Sequence, residues 1–166
     1  MPKNQNIAIC AGSFDPPTNG HINIIERGLK IFDKIVIALG KKEFKVGFFL
    51  LEERIDLLKE IFRNNPRIEI DTFDGLLVNY AKEKGIHTLL RGLRTLGDFE
   101  YEQQMSLANK SLEPKIETIF LMTEGQLSHI SSSIIKEIVH NGGSVKDMIP
   151  PIVEKKLKLK LKYPIL

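Results

Sequence analysis

A short apolar run, Ile7 to Ala11, is followed at once by Gly12-Ser13-Phe14-Asp15-Pro16-Pro17-Thr18-Asn19-Gly20-His21 and then by the helical stretch Ile22-Asn23-Ile24-Ile25-Glu26-Arg27. This order reads as a strand, a turn and a helix N-terminus. Unpaired N–H groups and the macrodipole make such a terminus attractive to phosphate, and Thr18 or Asn19 has the side chain to cap it. The segment has neither the G-x-x-x-x-G-K-[ST] of a P-loop nor the G-x-G-x-x-G of a dinucleotide fold. A nucleotide held here needs other donors. His21 alone, in an early helical turn, would ordinarily be structural or merely exposed, so its meaning rests on what stands with it.

Three further groups offer such donors. Leu90-Arg91-Gly92-Leu93-Arg94 reads as a loop after the fourth apolar run. Its two guanidinium forks suit phosphate, and Gly92 between them lets a ligand approach the backbone. Surface ion pairing is the bland reading of an isolated arginine pair. Ser131-Ser132-Ser133 precedes another helical stretch; one serine suffices for an N-cap, so three leave hydroxyl and backbone donors for an anion. In the helix after the arginines, Glu102, Met105 and Asn109 are spaced by three and four and share a face. A fourth segment, Lys41-Lys42-Glu43-Phe44-Lys45-Val46-Gly47, carries three lysines between the second strand and the second helix.

The elements that position these groups alternate. Apolar, β-branched runs at Ile7 to Ala11, Ile35 to Leu39, Ile68 to Ile70, Thr88 to Leu90 and Ile116 to Met122 read as buried strands. Between them lie helical patterns, as at Leu51, Ile55, Leu58 and Phe62, punctuated by Asn64-Asn65-Pro66, Asp74-Gly75 and Lys84-Gly85. The expected fold class is α/β: a five-stranded parallel sheet with helices on both faces, binding its ligand at the carboxyl ends of the strands. No linker or repeat divides the chain, so residues 1–166 are expected to form a single domain, with Pro150-Pro151 opening a last helix. The tail from Lys156 to Lys162 alternates with period two, which suits an edge strand, yet its Lys and Leu favour helix.

Composition bounds the function. Hydrophobic residues make up 42% and charged residues 27% of 166, ordinary for a soluble globular protein. The net charge of +3 rests on the five lysines of the tail, and without them it turns slightly negative. A general nucleic-acid partner is therefore not expected. No apolar run is long enough to span a bilayer and no signal peptide opens the chain, so no membrane partner and a cytoplasmic location are expected. Cys10, inside an apolar run, reads as a small buried thiol. His87 and His140 read as structural.

Ser-Phe-Asp-Pro followed by Thr-x-Gly-His resembles the signature of the HxGH nucleotidyltransferase superfamily, with Thr18 where the general motif has its first His. That substitution, together with the arginine and serine motifs in their order along the chain, is similar to the phosphopantetheine adenylyltransferases of the superfamily. The resemblance implies a Rossmann-like nucleotidyltransferase fold and transfer of AMP from ATP to 4'-phosphopantetheine, giving dephospho-coenzyme A and pyrophosphate. It implies His21 as transition-state stabiliser, hydrogen-bonded to the α-phosphate. It assigns ATP to Ser13, Phe14, His21, Gly92, Leu93, Arg94, Glu102 and the stretch Leu127, Ser128, His129, Ile130, Ser131, Ser132 and Ser133. It assigns the acceptor to Ser13, Lys45, Leu77 and Arg91, and the Met105 region to the pantetheine arm. The family usually has two adjacent basic residues followed by Pro where Val46-Gly47 stands, so Lys41 or Lys42 competes with Lys45. The resemblance also implies a homohexamer and feedback binding of coenzyme A.

No metal-ligand spacing occurs, so Mg²⁺ is expected to arrive on the triphosphate. The acceptor is already a phosphate, largely dianionic near neutral pH because its second pKa is about 6, and needs no general base. In-line displacement without a covalent intermediate is the expected course. The alternatives are a superfamily enzyme with a nicotinamide mononucleotide or polyol phosphate acceptor, and a silent nucleotide-binding regulator.

Overall fold

The computed structural model describes residues 5–41 and 47–161. Along the chain run β1 (Ile7–Ala11), α1 (Asn19–Gly28), β2 (Lys34–Gly40), α2 (Leu51–Ile61), β3 (Ile68–Phe73), α3 (Leu77–Lys84), β4 (Thr88–Leu93), α4 (Leu96–Leu112) and β5 (Glu117–Met122). A 3₁₀ turn at Gly125–Leu127 leads to α5 (Ser132–His140), and α6 (Pro151–Leu161) follows. The five strands form one parallel sheet in the order β3-β2-β1-β4-β5. With β1 central, the winding reverses between β1 and β4, and the carboxyl ends of those two strands part to leave a crevice. The expected fold class is what the chain adopts.

Alternation along β1 divides the core. Ala8 and Cys10 join Ile24 and Ile25 of α1 and its C-cap Leu29 on one face, while Ile9 joins Val78 and Ala81 of α3 on the other. A third cluster, including Leu57 of α2, Ile135 and Val139 of α5, and Val153 and Leu157 of α6, docks the C-terminal helices. The tail is helical through Leu161. Leu157 is 1% exposed and Leu159 is 73% exposed. A period-two strand would put both on one side, whereas Val153 and Leu157, four apart, share a helical face. No described helix is long and apolar enough to cross a membrane.

One expectation about the arginine segment needs correction. Arg91, Gly92 and Leu93 do not lie in a loop; they extend β4 and pair with Phe120, Leu121 and Met122 of β5. Only Arg94 lies beyond the strand. Gly92 also has a packing role: a Cβ on it would stand 2.8 Å from Cγ1 of Ile24, so α1 lies closely on the sheet because Gly92 has no side chain. β3 likewise continues to Phe73, because its polar residues still pair with the longer β2.

Overpacking of this kind costs about 1–3 kcal/mol. Gly92→Ala is therefore expected to lower the urea midpoint by that much stability. Gly97→Ala, whose Cβ meets nothing nearer than 3.8 Å, is expected to be neutral or slightly stabilising. Equal stability of Gly92→Ala and wild type would contradict the packing account.

Candidate active site

The spacing Thr-x-x-His has a local cause. Thr18 is the N-cap of α1, and its Oγ1 accepts a hydrogen bond from the backbone N–H of His21 at 3.3 Å. The imidazole occupies the place that Glu or Gln takes in a capping box: its Nδ1 accepts from the backbone N–H of Thr18 at 3.1 Å. Thr18, rather than Asn19, is thus the cap. A nitrogen that accepts cannot carry the proton of a neutral imidazole, so the hydrogen bonding assigns that proton to Nε2. Burial, with the nearby guanidinium charges of Arg94 and Arg91, pushes the His21 pKa from 6.5 down to about 4. At neutral pH His21 is an uncharged hydrogen-bond donor. The ring lies 4.9 Å from that of Phe14, centroid to centroid. Phe14 holds φ of 49°, in the left-handed region, and burial of its ring offsets the strain.

Both arginines are held by α4. Arg91 donates from Nε to Oε2 of Glu102 at 2.8 Å and from Nη2 to Oε1 at 2.5 Å, while its Nη1 donates to the carbonyl of Ala11. Arg94 donates from Nε to Oδ2 of Asp98 at 2.8 Å, from Nη2 to Oδ1 at 3.0 Å, and from Nη1 to the carbonyl of Ile130 at 3.4 Å. A guanidinium has five N–H donors. In each arginine the carboxylate takes the Nε edge, which leaves one N–H on each terminal nitrogen for a ligand. Asp98, which follows the arginines in the sequence motif but was given no role there, occupies the third helical position after the N-cap Thr95. Its spacing of four from Arg94 was the available signal.

A buried carboxylate ties the surrounding loops. Asp15, 3% exposed, accepts hydrogen bonds from the backbone N–H groups of Phe48 at 2.7 Å and Phe49 at 2.8 Å. Nζ of Lys136, on α5, stands 3.4 Å from its Oδ2. A Cβ on Gly47 would lie 2.9 Å from the carbonyl oxygen of Phe49 and 3.3 Å from Oδ2 of Asp15, so glycine suits the tight wrap around the carboxylate. Arg54 of α2 donates to the carbonyl of Ser13 at 2.8 Å, and Ser132 Oγ to that of Pro16 at 2.9 Å. Asp15, Lys136 and Arg54 were not singled out for these roles.

The crevice is a cavity of about 290 Å³. Ser13, Phe14, His21, Arg91, Gly92 and Arg94 line it together with Glu102, Ile130 and the three serines. Ser131 caps α5, its Oγ accepting from the N–H of Ile134 at 3.1 Å. Several expected site residues stand elsewhere. Leu77 packs against the α3 core, Leu93 is buried, and Leu127, Ser128 and the exposed His129 are outside the lining, as is the exposed Met105. Lys45 and Lys42 lie outside the described residues. Cys10 lines the floor, where burial pushes its thiol up to about 11, outweighing the opposing effect of Arg91, and keeps it protonated. Among the described residues no group of three His, Cys, Asp or Glu could hold a metal ion.

NMR of the histidine ring signals checks the electrostatics. His21 is expected to stay neutral from about pH 5.5 to 8, while an unperturbed histidine titrates near 6.5. The unfolded chain takes up this proton near 6.5 and the fold only near 4, so acidification through that window favours unfolding. A His21 midpoint at 6.5 would contradict the assigned environment.

Residues 9–138 match the cytidylyltransferase-like family. Among solved structures, one from Vibrio parahaemolyticus assigned as a nicotinate-nucleotide adenylyltransferase superposes with a TM-score of 0.64. It covers 92% of this chain and 98% of its own at 17% identity, a likeness of fold. The family match spans most of the chain and takes in the His21 turn, both arginines and the three serines, so the protein belongs to the cytidylyltransferase-like family and has a Rossmann-like nucleotidyltransferase fold.

Proposed function

We propose that the protein transfers AMP from ATP to the phosphate of 4'-phosphopantetheine. An oxygen of the acceptor phosphate attacks the α-phosphorus, the bond from that phosphorus to the bridging oxygen breaks, and pyrophosphate departs. Mg²⁺ enters with ATP as part of the substrate.

The observation that carries this reading is a cavity rich in donors whose described bases are all committed. Asp98 and Glu102 each hold an arginine, and Nδ1 of His21 accepts from Thr18. A nucleophile that must first lose a proton finds no described side chain free to take it. A phosphate monoester, ionised in solution, needs none. What remains is positioning and charge stabilisation. Nε2–H of His21 is a donor for the α-phosphate as charge gathers there. Arg94 and the N-terminus of α5 with its serines suit the β- and γ-phosphates. Arg91, beside Ala11 and Glu102, is left for the acceptor phosphate.

The choice of phosphopantetheine over other phosphate acceptors rests on Thr18 at the first motif position and on the arginine and serine motifs. The expected homohexamer is part of the reading. The exposed apolar side chains of Leu107 and Leu112 on α4 and Met122 on the edge strand β5 support it.

Pyrophosphate release from ATP with phosphopantetheine, nicotinate mononucleotide, nicotinamide mononucleotide and glycerol 3-phosphate tests the acceptor. Turnover with phosphopantetheine alone is expected; turnover with a mononucleotide alone would replace this reading by its nearest rival. In the same assay His21→Ala is expected to lose roughly 10²-fold in kcat, the size of one lost transition-state donor. Its KM values should change far less.

A further inference from the structure

We infer that Asp98 is a positioning residue for the nucleotide, acting through Arg94. The inference rests on the reading of Arg94 as a triphosphate ligand.

Asp98 grips Arg94 at three points. Its Oδ2 accepts from Nε at 2.8 Å and from the backbone N–H of Arg94 at 3.1 Å, and its Oδ1 accepts from Nη2 at 3.0 Å. The side chain and the backbone of Arg94 are thus fixed relative to one carboxylate. Asp98 is itself fixed, because its own N–H donates to Oγ1 of the N-cap Thr95 at 3.2 Å. On the far side, Nη1 of Arg94 reaches the carbonyl of Ile130, the residue before the N-cap of α5. Asp98 therefore sets the guanidinium between the start of α4 and the start of α5. One N–H on each terminal nitrogen remains open, and Arg94 lines the same cavity as Ser131 to Ser133. A fork held by its inner edge loses less rotamer freedom when it takes a phosphate on its outer edge. Burial raises the Asp98 carboxyl but the Arg94 contacts more than offset this, so it stays below the ordinary carboxylate range and ionised.

Two simpler roles predict different outcomes. If Asp98 merely stabilised the N-terminus of α4, its loss would lower stability and leave nucleotide affinity alone. If it were merely a negative neighbour of the triphosphate, its loss would relieve repulsion and tighten binding. A positioning role predicts weaker binding that disappears when Arg94 is gone.

The test is a double-mutant cycle on the full chain, titrating α,β-methylene ATP with Mg²⁺ by calorimetry, with circular dichroism to establish folding. Arg94→Ala is expected to weaken binding by roughly 10- to 150-fold, the size of a charge-assisted contact. Asp98→Asn should weaken it roughly 10-fold in the wild-type background and less than about 2-fold in Arg94→Ala, as expected of residues acting as one unit. Asp98→Glu keeps the charge at the helix start but displaces the carboxylate; it should fall between wild type and Asn, and it carries the same test if Asp98→Asn does not fold. Unchanged or tighter binding in a folded Asp98 variant, or effects that multiply in the double mutant, overturn the inference. If Arg94→Ala itself leaves affinity unchanged, the nucleotide reading of the cavity falls with it.

Discussion

The buried carboxylate of Asp15 holds the site together. It lies in the turn after β1 and accepts two backbone hydrogen bonds from the segment that follows β2, while Lys136 approaches it from α5. Three segments distant in sequence thereby share one buried carboxylate. Because Asp15 is buried, water cannot replace a backbone donor that is lost, and the carboxylate would be left partly uncompensated. Ser13, Phe14 and Pro16 flank Asp15, and Ser132 and Arg54 bind the carbonyls of this same turn. The placement of His21 relative to the serines follows from these ties, and α1 starts where the turn ends.

Around this anchor the polar groups are fixed by one another before any ligand enters. Thr18 sets the tautomer of His21, and burial, helped by the two guanidinium charges, keeps the imidazole neutral. Glu102 and Asp98, four apart on α4, neutralise Arg91 and Arg94 while leaving an edge of each open. Preorganised donors of this kind stabilise developing charge without reorganising at the moment of reaction. Such a site suits a reaction whose nucleophile arrives ionised.

The sheet and its winding were legible in the sequence because buried parallel strands write themselves as apolar runs, from Ile7 to Ala11 and from Ile35 to Leu39. Motifs at strand ends were legible because they are local: Thr18 to His21 is a single helical turn. Where β4 ends was not, since Arg91 and Gly92 have weak strand propensity and pair only because β5 lies alongside. The packing role of Gly92 depends on another element, through the side chain of Ile24. Asp15, Lys136 and Arg54 are distant in sequence, and no spacing rule joins them. Gly47, which departs from the pattern of the resembled family, has its explanation in the carboxylate it wraps.

The central claim is that these groups position two substrates for direct transfer, with no enzyme nucleophile and no general base. The stereochemical course at the α-phosphorus tests it most directly, using a single diastereomer of adenosine 5'-O-(1-thiotriphosphate) and phosphopantetheine. One in-line displacement inverts the configuration, and inversion is the result this account predicts. Retention requires two displacements through a covalent nucleotidyl-enzyme and would contradict it.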